Sequence, residues 1–250
     1  PEDKSAPGEG RSIFMDAYAM GARWHMNKFG STQRQLAVIC SKNHLHGYLN
    51  PLAQYQQKMT VEEVLADKPV AYPLTRAMCS PVGDGAAAAI VCSEKYLKKL
   101  SDARPVRIIA SVLGQGSERS LDGEDIGERL SVQAYDFAGL GPTDISLAEL
   151  HDATAWGELH QAEVMGFCAM GEGGPYAESG ATKIGGSKPI NTSGGLECRG
   201  HPIGASGLAQ IYELALQLRG DAGERQVENA RIGLAENGGG RGAAGEAKAK

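Results

Sequence analysis

The sequence has no cluster of basic residues. Its 25 Lys and Arg are outnumbered by 30 Asp and Glu, which gives a formal charge of −5. Proteins that bind nucleic acid along its phosphate backbone group their basic side chains on one face. We therefore expect no nucleic-acid partner. A polyanionic ligand would have to be held by a few local basic residues and backbone amides.

Long apolar runs are also missing, and none approaches the length needed to cross a bilayer. Residues 1–10 are polar and charged, which is unlike a signal or transit peptide. These two features predict a protein without a membrane span, located in the cytoplasm or another reducing compartment.

Cysteine is scarce, odd in number and without a C-x-x-C pair, so neither a disulfide framework nor a zinc ribbon fits. The five are Cys40, Cys79, Cys92, Cys168 and Cys198. Each is expected to be a small buried apolar residue. His44 and His46 do not suggest a metal pair, because positions i and i+2 lie on different faces of a helix. We expect no metal site.

Helical and strand-like patterns alternate along the chain, which predicts an α/β layered fold with a largely buried sheet. Helical spacing covers residues 12–29, 32–48, 126–140, 154–167 and 203–218, with a capping box opening a short helix at residue 60. Strand-like runs cover residues 84–92, 145–150 and 230–234, and residues 106–112 are apolar and β-branched. A polar stretch at residues 101–105 predicts a boundary between a first half, 1–103, and a second half, 104–250.

The first candidate site segment follows the strand-like run at residues 145–150. It brings His151 and Asp152 to the start of a helix whose cap would be Thr154. In α/β folds, sites gather where the carboxyl ends of strands meet helix starts. The alternative is an ordinary helix start with a capping residue and a neighbouring histidine.

The second segment combines N-T-S-G-G at residues 191–195 with G-H-P-I-G-A-S-G at residues 200–207, just before a long helix. Pro202 suits a first helical turn, and the small residues allow a ligand or another backbone to come close. A phosphate loop is the alternative, but the G-x-x-x-x-G-K-[ST] pattern is missing. The helix dipole disfavours the charged form of a histidine here, so His201 is suited to act as a neutral base.

The third segment is A-E-N-G-G-G-R-G at residues 235–242, directly after the strand-like run at 230–234. Consecutive glycines can point backbone N–H groups at one spot and form a nest for an oxyanion. The alternative is a glycine-rich turn or a flexible tail.

Together these segments resemble the C-terminal half of thiolases, especially the sterol-carrier or lipid-transfer type. Residues 151–154 match its H-D-x-[FT] block, residues 191–195 match N-x-S-G-G, and residues 200–207 match G-H-P-[LI]-G-A-[ST]-G in full. Residues 12–100 resemble the later part of the N-terminal half. The resemblance implies a thiolase-like layered αβαβα fold of two similar halves, with the first half incomplete.

Four catalytic roles are implied by the resemblance. His201 would activate a nucleophilic cysteine and help to bind the thioester oxygen, and His151 would form part of an oxyanion hole. Gly238 would donate an N–H to a second oxyanion hole. Glu236 stands where most thiolases have a second catalytic cysteine and the lipid-transfer type has histidine, and it is our candidate acid/base, with Cys198 as the alternative.

The resemblance also implies ligands and partners. Acyl-CoA and free CoA would be substrates, with no other cofactor. A homodimer or homotetramer is expected, and a small zinc-ribbon and OB-fold subunit is an additional candidate partner. The candidate substrate-binding residues are Asn191, Ser193, Gly194, Trp156 and Ser206.

None of the five cysteines occupies the context of a thiolase nucleophile, so we expect that cysteine upstream of the segment printed here. The leading hypothesis is thiolysis or Claisen condensation of a 3-oxoacyl-CoA through an acyl-cysteine. Two alternatives are retro-aldol cleavage of a 3-hydroxyacyl-CoA on the same scaffold and a non-catalytic subunit that binds acyl-CoA or lipid.

Overall fold

The computed structural model describes residues 12–117, 120–241 and 247–249. The polar start at residues 1–10 and the end of the glycine-rich segment at Gly242 therefore lie outside the described residues. The helices are α1 (Ile13–Phe29), α2 (Gln33–Tyr48), α3 (Val61–Ala66), α4 (Glu94–Leu97), α5 (Ile126–Ala138), α6 (Ala155–Val164), α7 (Gly173–Glu178), α8 (Gly195–Arg199) and α9 (Ser206–Arg219). Within the described ranges, no helix combines the length and apolar character that a membrane crossing requires.

The first helices begin and end where their capping residues predict. Helix α1 ends at Gly30, whose φ of 80° is the left-handed conformation that favours glycine at a helix end. Helix α2 starts with a capping box in which Thr32 and Gln35 satisfy each other's backbone N–H groups. A second capping box, between Thr60 and Glu63, opens α3. The predicted helices at 12–29 and 32–48 are confirmed.

The strands that position the site are β3 (Leu147–Glu149) and β4 (Gly233–Ala235), which pair in parallel. An isolated parallel bridge joins Ala148 to Ile190 on the other side of β3. The remaining strands are β1 (Pro69–Ala71), β2 (Leu74–Thr75), β5 (Gly238–Arg241) and β6 (Ala247–Ala249), which form two separate antiparallel pairs. The strands predicted at 145–150 and 230–234 are confirmed, in shorter form.

The strand predicted at residues 84–92 is wrong for this structure. That segment has no strand assignment, and Ile90 and Val91 are 99% and 76% exposed. The apolar run at 106–112 is likewise irregular, with Ile108 65% exposed. A strand is stable only beside a partner strand, and no described residue pairs with these segments in a ladder. The local pattern was strand-like, but the partner it requires is a non-local feature.

The main core lies between helices from both predicted halves. Helices α1 and α2 pack against α6 and α7, and the buried apolar cluster includes Ala22, Leu36, Ile39 and Leu159. A smaller cluster around Leu150 and Ile190 lies beneath the parallel strands. These contacts join the helices of residues 12–48 to the elements that carry the candidate site.

A buried polar network connects α2 to that site. The Lys42 ammonium lies 2.5 Å from the Glu158 carboxylate, and both side chains are 1% exposed. The Asn43 amide nitrogen lies within hydrogen-bond distance of Asp152, Glu158 and Glu197, at 3.2, 3.0 and 3.3 Å. Lys42 therefore supplies the positive charge that pairs with this group of carboxyls.

We expect Lys42→Met to lower the free energy of unfolding by about 3–5 kcal/mol, because it leaves a buried carboxylate without its cation. Chemical denaturation monitored by circular dichroism measures this. Lys28→Met is the matched control, since Lys28 pairs with Asp122 on the surface with both side chains well exposed. An exposed pair contributes about 1 kcal/mol or less. Equal losses in the two variants would contradict a special role for the buried pair.

Candidate active site

The candidate site forms where β3 and β4 end side by side. The register aligns Glu149 with Ala235, so the residues that follow both strands emerge at one edge. The backbone N–H of Glu236 donates to the Glu149 carbonyl at 2.9 Å. In return, the backbone N–H of His151 donates to the Glu236 carboxylate at 2.9 Å. The first and third sequence segments are thus joined by one backbone–backbone bond and one bond from a backbone N–H to the Glu236 carboxylate.

His201 is held at the start of α9 by Ser206. The Ser206 hydroxyl donates to the Pro202 carbonyl at 3.2 Å, so its oxygen accepts from Nδ1 of His201 at 2.7 Å. The neutral His201 ring therefore carries its proton on Nδ1. Its Nε2 is left as an acceptor, which is the state that a general base requires.

His151 has the complementary tautomer. The Asn237 side-chain amide donates to Nδ1 of His151 at 3.3 Å, so the neutral ring carries its proton on Nε2. The His151 and His201 rings lie edge to face, with their centroids 5.1 Å apart. His201 therefore presents an acceptor nitrogen, Nε2, and His151 presents a donor, its Nε2–H.

Both histidines favour the neutral form. Burial, together with smaller contributions from the nearby His201 and Arg199, lowers the pKa of His151 to about 3. Burial, followed by the charge of Arg199, lowers the pKa of His201. At neutral pH, both rings are uncharged and keep the tautomers described above.

Glu236 is the candidate acid/base of the site. Burial raises the pKa of its carboxyl to about 7, against a smaller opposing effect from the N–H of His151. Gly238 lies next to it, and a Cβ at Gly238 would come within 3.7 Å of Glu236 Oε1 and 3.9 Å of His151 Cγ. The structure therefore brings His201, His151, Glu236 and Gly238 together.

Three of the predicted substrate-binding residues lie below this group, fully buried. Asn191 accepts from the N–H of Leu150 at 2.8 Å, and Ser193 donates to Glu149 at 2.6 Å. Gly194, with φ of 96°, packs against the backbone of Gly47. These contacts fix the loop under the ends of the strands, and direct contact of these three with a substrate stays a prediction.

Trp156 lies on the α1 side of the site. A Cβ at Gly21 would come within 2.5 Å of the Trp156 ring, so only glycine allows the indole to lie this close to α1. The indole stacks on His160 with ring centroids 5.0 Å apart and meets Tyr18 edge to face. Its role as a wall of an acyl pocket stays a prediction.

None of the five cysteines, all of which lie in the described ranges, hydrogen-bonds to His201. Cys40 and Cys198 are buried, and burial raises their pKa values well above the usual range. Burial also raises the pKa of Cys79 and Cys168 to about 12. The alternative acid/base, Cys198, is thus a packed core residue whose Cβ faces Gly47.

Sequence reasoning missed three residues that shape the site. Gln210 donates to the Glu236 carbonyl at 2.8 Å and accepts from Asn237 at 3.3 Å, so it fixes the residue that orients His151. It lies four residues after Ser206, on the same face of α9, and that spacing was a usable signal. Asn237, the second, donates to Nδ1 of His151. Arg199, the third, ends α8 and contributes to the lowered pKa of both histidines.

Residues 125–247 match the family model described as thiolase C-terminal domain-like. The matched range contains every residue that the sequence predicted for the site. Residues 125–247 are therefore thiolase-like. The α/β fold of the chain is thiolase-like, because it also superposes on a chain of the Ltp2-ChsH2(DUF35) aldolase with a TM-score of 0.79 at 25% identity, covering 91% of this chain and 61% of that one.

Similar sequences carry thiolase and sterol-carrier names. The chain is 44% identical to an acetyl-CoA acetyltransferase of Methanothermobacter thermautotrophicus, over 92% of this chain and 61% of the relative. It is 39% identical to the benzoylsuccinyl-CoA thiolase subunit BbsB of Thauera aromatica, over 87% of this chain and 57% of the relative. It is also 39% identical to human sterol carrier protein 2, over 88% of this chain and 42% of the relative. The chain therefore spans between 42% and 61% of the lengths of these three relatives.

The raised pKa of Glu236 predicts a pH-dependent stability difference from Glu236→Gln. Folding moves this pKa from about 4.5 to about 7, so the folded state holds the extra proton between these values. The stability that the protonated Glu236 carboxyl contributes is therefore lost as pH rises through this window. We expect the Gln variant to gain stability relative to the parent from about pH 4.5 to about pH 7, then to level off. Thermal unfolding of both proteins across this range measures the difference, and a constant difference would contradict the raised pKa.

Proposed function

We propose that this chain is part of an acyltransferase that makes or breaks a carbon–carbon bond in a 3-oxoacyl-CoA by thiolase chemistry. The observation that carries the proposal is the complementary histidine pair. His201 presents a neutral acceptor nitrogen and His151 presents an N–H donor, 5.1 Å apart between ring centroids, beside a carboxyl with a pKa of about 7. A base, an oxyanion donor and an acid/base are what thiolysis requires.

In the cleavage direction, Nε2 of His201 takes the thiol proton of a cysteine, and the sulfur attacks the 3-oxo carbon. We expect that cysteine in the part of the whole protein corresponding to the segment of the relatives that this chain does not match. The Cα–Cβ bond then breaks, and the acyl group stays on sulfur. The thiol of CoA next attacks the acyl-cysteine and releases a shortened acyl-CoA.

The two oxyanions in this scheme have separate donors. The Nε2–H of His151 faces a negative oxygen in the acyl-transfer site, and the backbone N–H of Gly238 serves the thioester enolate. Gly238 is placed for that role, because a Cβ there would lie 3.7 Å from Glu236 Oε1 and 3.9 Å from His151 Cγ, so its backbone is beside both residues. Donors fixed in advance stabilise developing charge without reorganisation.

Glu236 handles the Cα proton. In cleavage, its carboxylic acid protonates the enolate of the departing acyl-CoA, and in condensation its carboxylate removes that proton. A group whose pKa is about 7 is divided between both forms at neutral pH, which suits a residue that must act in both directions.

A second candidate is retro-aldol cleavage of a 3-hydroxyacyl-CoA without a covalent intermediate. The structural likeness to an aldolase favours it, as does a carboxyl at the position of the second thiolase cysteine. Mass spectrometry of the complete protein after incubation with acyl-CoA separates the two, since only thiolase chemistry leaves an acyl group on a cysteine. A third hypothesis, a non-catalytic lipid- or acyl-CoA-binding subunit, predicts binding without turnover of either substrate class.

The partners of the whole protein are part of this proposal. CoA esters and free CoA are substrates, and no further cofactor or metal is required by the scheme. Two of the similar proteins have names that indicate assemblies: one is a thiolase subunit, and the other a complex with a DUF35 component. We propose a homo-oligomer that is able to recruit a small zinc-ribbon and OB-fold subunit.

His201→Ala should reduce turnover by about 10²–10⁴-fold, because the nucleophile loses its activating base. Ser206→Ala is the matched comparison, since it keeps the imidazole but removes the acceptor that fixes its tautomer, and a smaller loss is expected. Steady-state kinetics with a 3-oxoacyl-CoA and CoA measures both. Turnover near the parent value in a folded His201→Ala protein would remove His201 from the mechanism.

Glu236→Gln should separate the two half-reactions. The variant should still form the acyl-enzyme from a reactive thioester, because His201 is intact. It should fail to exchange the Cα protons of acyl-CoA with deuterated water, because the amide cannot take up that proton. Mass spectrometry and NMR follow the two steps, with Glu128→Gln, an exposed position on α5, as the control. Exchange at the parent rate in Glu236→Gln would show that Glu236 is only a turn residue.

A further inference from the structure

Gln210 bridges the ends of the two parallel strands. It lies on α9, and its side chain is fully buried. Its side-chain nitrogen is 2.8 Å from the carbonyl oxygen of Glu236, which follows β4, and 3.4 Å from the carbonyl oxygen of Glu149, the last residue of β3. A carbonyl oxygen accepts hydrogen bonds and donates none. The end of the Gln210 amide that faces these two carbonyls must therefore be its NH2 group.

The other end of the Gln210 amide faces Asn237. Because the two backbone carbonyls take the NH2 group, the oxygen Oε1 of Gln210 is the atom that meets the Asn237 side chain, at 3.3 Å. This oxygen is able only to accept. The Asn237 amide must therefore turn its own NH2 group, and not its oxygen, toward Gln210.

Asn237 transmits this orientation to His151. The same Asn237 nitrogen is 3.3 Å from Nδ1 of His151, so its two hydrogens have one acceptor each, Oε1 of Gln210 and Nδ1 of His151. Burial is the main cause of the lowered pKa of His151, about 3, so the ring is neutral at pH 7. A neutral ring whose Nδ1 accepts a hydrogen bond carries its proton on Nε2. The carbonyls at the strand ends thus decide the His151 tautomer through two amides.

The His201 ring is set from the same face of α9. Ser206 precedes Gln210 by four residues, which places both side chains on one face of the helix, and both are buried. The Ser206 hydroxyl donates to the Pro202 carbonyl at 3.2 Å and accepts from Nδ1 of His201 at 2.7 Å. A backbone carbonyl therefore fixes each ring. The hydroxyl presents an acceptor to His201, whereas the pair of amides presents a donor to the other histidine.

We propose that Gln210 is a positioning residue of the site, which holds His151 in its Nε2–H tautomer through Asn237. It forms no bond to substrate. Its role in catalysis rests on the proposed function, in which the Nε2–H of His151 stabilises an oxyanion. A ring with its proton on Nδ1 would offer that oxyanion a lone pair in place of a donor. The tautomer itself is measurable without turnover.

The test is the NMR spectrum of the ring nitrogens in the complete protein, isotopically labelled at histidine and kept near neutral pH. The two nitrogens of a neutral ring have different chemical shifts according to which one carries the proton, and a His151→Asn variant identifies the signals. In the parent, we expect the proton on Nε2. In Gln210→Met, the Asn237 amide is free to turn its oxygen toward the ring. Between about a tenth and a half of the ring should then take the Nδ1–H form, because either end of the amide makes one hydrogen bond to it.

Gln217→Met is the matched control. Gln217 is also a buried glutamine of α9, and its amide makes comparable hydrogen bonds away from the site. Its partners are Thr192, Glu213, Arg225, Gln226 and Val227. The control should lose stability to a similar extent and keep the parent ring spectrum. It therefore separates the loss of buried hydrogen bonds from the loss of orientation at His151.

Asn237→Asp is the second variant, and it decides the question if Gln210→Met does not fold. A carboxylate at position 237 has only acceptors to offer, so the His151 ring should acquire a proton on Nδ1 in most molecules. An unchanged His151 spectrum in either variant, when folded, overturns the proposal. Gln210 would then be only a clamp between the strand ends.

Activity gives the second measurement. Because the oxyanion forms only in the transition state, a change of tautomer should lower kcat and leave KM near the parent value. Asn237→Asp should lower kcat by about 10²–10³-fold, as expected for the loss of one oxyanion donor. In Gln210→Met, kcat should fall in proportion to the fraction of His151 that has lost its Nε2–H.

The two measurements separate this proposal from the proposed function. Parent-like kcat in Asn237→Asp, with the proton of His151 moved to Nδ1, would overturn the catalytic part of the proposal. If the ring changes as expected but the parent has no activity on a 3-oxoacyl-CoA, the positioning role of Gln210 stands and the proposed function fails.

Discussion

The parallel pairing of β3 with β4 is the constraint on which the site depends. It places the residues that follow Glu149 and Ala235 at one edge. The backbone N–H of Glu236 then donates to the Glu149 carbonyl, and the backbone N–H of His151 donates to the Glu236 carboxylate. These bonds need no particular side chain at Glu149 or His151, because the backbone supplies them. His151 and Glu236 are 85 positions apart in the sequence, and they are thereby held at hydrogen-bond distance. Helix α9 places His201 beside them.

Much of the local structure could be predicted from the sequence. The caps at Thr32 and Thr60 and the end of α1 at Gly30 depend on residues close together in the chain, so local patterns contain the necessary information. The run at residues 84–92 failed because a strand requires a partner that no local pattern can specify. The caps depend on residues close in sequence, whereas the strand depends on a distant partner. The sequence separation of the interacting residues therefore decides which elements can be predicted.

The sequence likewise predicts some features of the site and not others. His151, His201 and Glu236 were found because each belongs to a recognisable motif at the end of a strand or the start of a helix. The tautomers of the rings were beyond the sequence, since they depend on Ser206 and Asn237 meeting the correct ring nitrogens.

The amide of Asn43 has two hydrogens, yet three carboxyl groups converge on its nitrogen. Lys42 pairs with one of the three. Burial, followed by repulsion from neighbouring carboxylates, raises the pKa values of Asp152 and Glu197 well above the usual range, so both carboxyls bind protons more tightly in the folded state than in the unfolded chain. An unfolded chain near neutral pH would have released these protons. The protein therefore takes up protons as it folds, and its measured heat of unfolding will depend on the heat of ionisation of the buffer.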